Sequence, residues 1–311
     1  MKERVKTGLL LALIAIAIFG LRFISPFIFD TFVFVLIIMA EMEVIKAINI
    51  KEKKCSAFWT LFYVICNTAI FVVSVILKWT FWTTVLYNLI AFAFIFILSL
   101  CCYIIIKSHK NVNNLAKGKI FKLGLLYSLR TLFAMIYPTF LLSSLYYVNH
   151  IDLFSTNSQI ASIGSNFGLF CLLMIFILTV ATDTSAYFVG RAFKGVKLAP
   201  KISPNKTISG SVGGIFASII VSLIIFLIFN SIDIYNATFS AINLNGYWFI
   251  LYGFVISIFS QAGDLFASLI KRKQNIKDYS NLLGEHGGIM DRFDGETFVA
   301  PITLLMIVLF I

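Results

Sequence analysis

Charge is scarce in this 311-residue chain. Only 13% of its residues are Asp, Glu, Lys or Arg, and 60% are apolar. A soluble domain is about a quarter charged and nearer half apolar. So few charges cannot cover a water-exposed surface, which excludes a soluble globular enzyme and a disordered chain. Proline is also sparse, at five residues, so apolar helices can run long. The five cysteines (Cys55, Cys66, Cys101, Cys102 and Cys171) form no C-x-x-C and lie in or beside apolar runs. They read as small buried hydrophobes, not as a disulfide or metal framework. No G-x-x-x-x-G-K-[ST] run is present, which removes the P-loop class. What remains, at a mean hydropathy of +0.96, is an all-α, polytopic integral membrane protein.

Nine apolar segments can be read at roughly 8–25, 29–46, 58–77, 84–106, 121–147, 165–190, 211–231, 247–270 and 296–311. Each is near the ~20 residues that cross a bilayer as helix, the first and last being short. The first follows Lys2, Arg4 and Lys6, lacks a clear small-residue cleavage site and reads as a retained anchor. Basic residues alternate between loops: 22 of the 25 Lys and Arg fall on one side, and the loops 148–164 and 232–246 have none. The positive-inside rule then puts the N-terminus in the cytoplasm and the C-terminus outside. The net charge of +11 reads as these loops plus attraction to anionic headgroups or phosphates, with no nucleic-acid partner expected. No linker or internal repeat divides the chain. It is expected to be a single membrane domain, 1–311, in which 1–150 supplies helices of unclear role and 165–311 the catalytic helices and cytoplasmic loops.

Two carboxylates sit where ionisable groups are costly and tend to be functional. Asp183 lies in the sixth segment and Asp264 in the eighth, at nearly equal distances from where each segment begins. At ~1.5 Å per residue they reach one depth near the cytoplasmic interface. They could share one site, or each could pair separately with a nearby Lys or Arg. Asp264, Ser268 and Lys271 lie on one helical face and suit a metal-bound phosphate, although Lys271 could merely snorkel to the interface.

Two loops carry the remaining signal. The loop 190–214 holds five basic residues, no acid, five glycines and the hydroxyls of Ser203, Thr207 and Ser209, a composition for anion binding or simply a basic inside loop. The loop after the eighth segment gathers Asp278, Glu285, His286, Asp291, Asp294 and Glu296, a large share of the chain's 14 acids and 3 histidines. They lie among Lys271, Arg272, Lys277 and Arg292, beside Gly287 and Gly288. Positive-inside bias does not explain acids here. Carboxylates suit Mg²⁺, and Lys and Arg suit phosphate oxygens. Asp294 could face a metal with Asp291 or simply cap the last helix. His286, without a His partner, is a poor zinc ligand. The residues thus describe a membrane-embedded, Mg²⁺-dependent enzyme that handles phosphates, on a lipid substrate, at the cytoplasmic interface.

The run from Ser268 through Lys271-Arg272, Lys277-Asp278 and His286-Gly-Gly-Ile-Met-Asp291-Arg292-Phe-Asp294 resembles, at unbroken spacing, the signature of the phosphatidate cytidylyltransferases, or CDP-diacylglycerol synthases. Asp183, Ala186-Tyr187, Gly190-Arg191 and Ser203-Pro204-Asn-Lys206-Thr207 extend the resemblance over roughly 180–300; the first half of the chain matches in hydropathy alone. It implies that phosphatidate and CTP or dCTP give CDP-diacylglycerol and pyrophosphate, in phospholipid biosynthesis, at a multi-pass plasma-membrane site facing the cytoplasm. The implied catalytic set is Asp264, Ser268, Lys271, Asp291 and Arg292. Phosphate and substrate binding falls to Ser203, Lys206, Thr207, Arg272, Lys277, His286, Gly287 and Gly288. Mg²⁺ falls to Asp264, Asp291 and Asp294, with room for a second cation such as K⁺. A homodimer is compatible with the family. Two departures stand out: Ser209 and Ala267 occupy positions where the family usually or often has Glu. They motivate one alternative, a catalytically weakened homologue. Another is a CTP-dependent polyprenol- or phytol-type lipid kinase. A transporter would require broken helices or inverted repeats, and the sequence suggests neither.

Overall fold

The computed structural model describes residues 13–50, 54–109, 117–154 and 165–310; Lys2, Arg4, Lys6, Lys51, Lys53 and Lys110, and part of the loop 148–164, lie outside them. The first half runs α1 (Leu13–Arg22), α2 (Pro26–Ile48), α3 (Ala57–Ile76), α4 (Phe81–His109) and α5 (Lys117–Ala134), then a π-turn (Met135–Phe140), α6 (Ser144–Asn149) and α7 (Ile151–Phe154). The second half runs α8 (Ser165–Phe193), a hairpin of β1 (Lys197–Ala199) and β2 (Ser203–Thr207), α9 (Ile208–Asn230), α10 (Asp233–Ala241), α11 (Gly246–Lys273) and α12 (Asp294–Phe310). The β1–β2 hairpin is the one sheet among the described residues, so the chain is an all-α polytopic membrane protein. The described part of each apolar segment falls chiefly on helix, and six described stretches are long and apolar enough to cross a membrane, the stretch Gly118–Asn149 being taken as one.

One helix departs from expectation. The fifth segment is not continuous: Tyr137 leaves helical geometry (φ −114°, ψ 108°) ahead of Pro138. Proline has no N–H to give to the helical ladder and its ring crowds the preceding turn, so the kink has a local cause.

Side chains fix helix starts, those of α3, α9 and α11 among them. Ser56 accepts from the Trp59 N–H at 3.3 Å ahead of α3, Thr207 from Gly210 at 3.1 Å ahead of α9, and Asn245 from Tyr247 at 3.1 Å ahead of α11. Such bonds satisfy backbone donors that a helix start leaves unpaired.

Packing divides the molecule. α8, α9, α11 and α12 form a continuous bundle, while α3, α4 and α5 pack chiefly on one another. α2, the π-turn and α6 join them, since α2 meets α3 and the π-turn, and α6 meets α2, α8 and α12. Apolar side chains gain little by associating within lipid, so small residues that allow close backbone approach decide where helices meet. At the α8–α9 crossing a Cβ on Gly210 would stand 2.5 Å from the Ala186 carbonyl oxygen. Between α9 and α11, the Ser218 and Ser222 hydroxyls donate to the Gly253 and Phe249 carbonyls at 2.8 Å each.

Candidate active site

α8 and α11 each carry an acid at the same offset from their first residue, Asp183 and Asp264. Both open onto a single cavity of about 890 Å³. Its walls come from the end of α8, the β-hairpin, the start of α9, the end of α11, the loop 274–293 and the first residue of α12. The wall holds five acids (Asp183, Asp264, Asp278, Asp291 and Asp294) and six bases (Arg191, Lys194, Lys197, Lys206, Lys271 and Arg292). The two sequence loops, separated in the chain by all of α9, α10 and α11, are thus brought to one place.

Two ion pairs organise the wall. Lys206 Nζ lies 2.5 Å from Asp264 Oδ2, and Ser268 Oγ donates to Asp264 Oδ1 at 3.3 Å. Lys271 Nζ donates to Asp291 Oδ1 at 2.6 Å, in a pair whose side chains are only 10% and 4% exposed. The other Asp291 oxygen, Oδ2, accepts the Tyr279 N–H at 2.8 Å and the Gly288 N–H at 2.9 Å. Lys271 also stands 5.5 Å above the Tyr279 ring, a cation–π approach. Asp183 and Asp294 have no ion-pair partner among the described residues. Asp294, just ahead of the last apolar segment, accepts the Gly295 N–H at 2.9 Å. Burial pushes its carboxyl above the ordinary range, the Asp264 charge adds to that, and Lys271 opposes it.

Of the expected site residues, Lys206, Thr207, Asp264, Lys271, Asp291, Arg292 and Asp294 line the cavity. Thr207 does so as the buried N-cap of α9, its oxygen engaged by Gly210. The others stand behind the wall or beside it. Ser268 backs Asp264. Arg272 donates to the Ile202 and Ile276 carbonyls at 3.2 Å each, tying the hairpin to the end of α11. The His286 carbonyl accepts from Arg292 Nε at 2.9 Å, so the loop backbone orients that guanidinium. Gly287 takes φ +80°, a conformation that suits glycine, and Gly288 gives its N–H to Asp291. Ser203 begins β2, and Lys277 is exposed. The two departures from the family pattern differ: Ala267 is completely buried, with Tyr279 Oη donating to its carbonyl at 3.3 Å, whereas Ser209 donates to the Lys194 carbonyl at 2.5 Å.

Sequence reasoning missed Glu43. It lies in α2, 4% exposed, and its carboxylate reaches the far end of the chain. Oε1 accepts from Ser280 Oγ at 2.6 Å and the Ile289 N–H at 3.0 Å, and Oε2 from the Met290 N–H at 2.8 Å. The signal was present: Asp30, Glu41 and Glu43 interrupt the apolar segment 29–46, and the rule that singled out Asp183 applies to them equally.

The donor chemistry fits a hard divalent cation. Asp183, Asp264 and Asp294 offer carboxylate oxygens from three helices to one cavity, and the Lys206 ammonium sits on Asp264 as a cation would. No three His, Cys, Asp or Glu among the described residues are gathered as a ready ligand set. Mg²⁺ commonly takes one or two carboxylates and completes its shell with water and substrate phosphates.

A polytopic helical bundle with a mixed-charge cavity at the end that bears its basic loops defines a membrane-embedded class of protein with a polar site at one end of the bundle. The chain belongs to the cytidylyltransferase family, whose model it matches over residues 2–310. It is 37% identical over 141 residues to a phosphatidate cytidylyltransferase of Staphylococcus haemolyticus (strain JCSC1435), covering 45% of this chain and 50% of that one. It is 37% identical over 138 residues to one of Rickettsia felis (44% and 59%), and 39% identical over 134 residues to one of Haemophilus influenzae (43% and 44%). The matched part of the chain spans about half the length of these relatives.

Proposed function

We propose that this protein joins phosphatidate to CTP or dCTP, giving CDP-diacylglycerol or its deoxy counterpart and pyrophosphate, at the cytoplasmic face of the plasma membrane. The observation that carries the reading is the convergence of the Ser203–Thr207 hairpin and the His286–Asp294 loop on one cavity with five acids and six bases. The basic loops that surround this cavity support the orientation.

In this reaction a lipid phosphate oxygen attacks the α-phosphorus of CTP. The new P–O bond forms as the α–β bridging bond breaks, and its electron pair leaves on pyrophosphate. The substrate brings its own nucleophile, so the chain's work is positioning and charge neutralisation. Lys206 and Arg292 face the cavity as cations for phosphate oxygens, Arg292 oriented by the His286 carbonyl. Lys271, held between Asp291 and the Tyr279 ring, is a fixed one. Mg²⁺, when bound, supplies charge neutralisation to the triphosphate; Asp264 and Asp294 would hold it, beside Asp183. Asp291 is a third candidate ligand that has Lys271 and two backbone N–H groups as partners already. Lys206, paired with Asp264 in the structure, would serve phosphate oxygens where that carboxylate holds the cation.

The test is a product assay on the purified protein in detergent, with phosphatidate, Mg²⁺ and each of CTP, dCTP, ATP and GTP. CDP-lipid and pyrophosphate from the cytidine nucleotides alone, lost on chelation, are expected. Lipid phosphate with CDP, or no turnover by folded protein, would overturn the reading. In the second case, a rise in activity on restoring Glu at Ser209 and Ala267 would point to a weakened homologue.

A further inference from the structure

We infer that Glu43 is a positioning residue that presets the 279–293 loop for the reaction proposed above, on which this inference rests. Glu43 does not line the cavity, so it can act only through what it holds. It holds the loop at two points. Ser280, at the beginning, and Ile289 and Met290, just before Asp291 and Arg292, all donate to its two oxygens.

Its place on the backbone explains the effect. Arg292 N–H and Phe293 N–H both donate to the Ile289 carbonyl, at 2.9 and 3.1 Å, so residues 289–293 form a tight turn. A turn of this kind leaves its first N–H groups unpaired, as a helix start does. Glu43 takes those of Ile289 and Met290, and so acts as a cap delivered from a helix near the other end of the chain. The turn it caps presents Asp291 and Arg292 to the cavity. Asp291 in turn grips Tyr279 and Gly288 from the inside, so the loop is clasped between two carboxylates.

Two further observations support the assignment. Among the described residues Glu43 has no Lys, Arg or His as an ion-pair partner. Its compensation is these three hydrogen bonds, of the charge-assisted kind that are stronger than neutral ones. Gly288 meets it closely, since a Cβ at that position would come within 2.5 Å of both carboxylate oxygens. The glycine therefore lets the carboxylate reach the backbone, which gives the second glycine of His286-Gly287-Gly288 a reason that concerns Glu43, not a phosphate.

The experiment pairs Glu43→Gln with hydrogen exchange and steady-state kinetics on the full-length protein in detergent. A glutamine offers one acceptor oxygen where the loop needs two, so one N–H is left facing an NH₂. Expected are exchange about tenfold faster in 279–293 but unchanged in α8 and α9, and kcat lower by about 30-fold with KM for CTP within threefold, as for a small misplacement of catalytic groups. Turnover within threefold of the parent, or faster exchange spread evenly over the molecule, would overturn the inference. If that variant does not fold, Ser280→Ala decides: it removes one of the three donors and keeps the charge. It should raise loop exchange and lower kcat by about threefold each, and no change in either overturns the inference. If the parent protein makes no CDP-lipid, the proposed reaction fails, while the exchange arm still decides whether Glu43 holds the loop.

Discussion

The α3–α4 region and the bundle of α8, α9, α11 and α12 both bury polar groups inside apolar helices, but of different kinds. In the first, Asn67 Nδ2 donates to Asn88 Oδ1 at 2.8 Å, the Tyr63 hydroxyl donates to the same oxygen at 3.3 Å, and Asn88 Nδ2 donates to the Thr84 carbonyl at 3.1 Å. All are neutral and find their partners nearby. In the second, beside neutral hydroxyls such as those of Ser218 and Ser222, acids and bases from separate segments face one cavity. Neutral polar groups within lipid hold helices together at modest gain. Charges are tolerated where they face one another or water, and that is where they do chemistry. Buried polarity alone therefore does not set the candidate site apart; convergent charge around open space does.

Substitutions in the two regions should therefore differ in what they cost. The largest effect belongs to Asp264→Asn, which keeps an acceptor for Ser268 but removes the charge from the cavity. Turnover should fall about 10³-fold, with the elution profile and thermal midpoint in detergent unchanged; activity within tenfold of the parent would remove Asp264 from the site. Next, two lysines that the family resemblance assigns alike to phosphate binding should separate. Lys206→Ala, on the cavity wall, should raise KM for CTP by about tenfold, equivalent to ~1.4 kcal/mol. Exposed Lys277→Ala should change it by less than about twofold; equal effects would mean that the wall is wrongly drawn. The smallest effect on chemistry is expected from Asn88→Leu. Unpairing Asn67 and Tyr63 should cost about 1 kcal/mol of stability, read as a lower thermal midpoint, with kcat per folded molecule within about twofold. A tenfold loss of kcat would erase the distinction between the two regions.

Much of this was legible beforehand, for identifiable reasons. Hydropathy reports lipid exposure directly, so the apolar segments fall chiefly on helices where they are described. The equal depth of Asp183 and Asp264 followed from helical rise alone, and their shared cavity agrees with it. The kink at Pro138 was missed because the segment was read for apolarity without regard to its backbone donors. Whether a polar side chain faces the cavity or stands behind it depends on crossing geometry, so Ser268 and Arg272 could not be told from Lys271 by spacing. Glu43 was invisible for a different reason. Its partners are 237, 246 and 247 residues away, and a signature confined to residues 268–294 says nothing about what anchors it.

That separation has a consequence for biogenesis. During synthesis α2 enters the membrane early, and its Glu43 carboxylate must then wait for most of the remaining helices before its donors exist. Assembly of the working loop is therefore a late event in the life of the nascent chain. A truncated product that stops short of the loop would hold an unmet charge at the end of its second helix. The same contact that organises the finished site thus distinguishes a chain that has reached its loop from one that was interrupted.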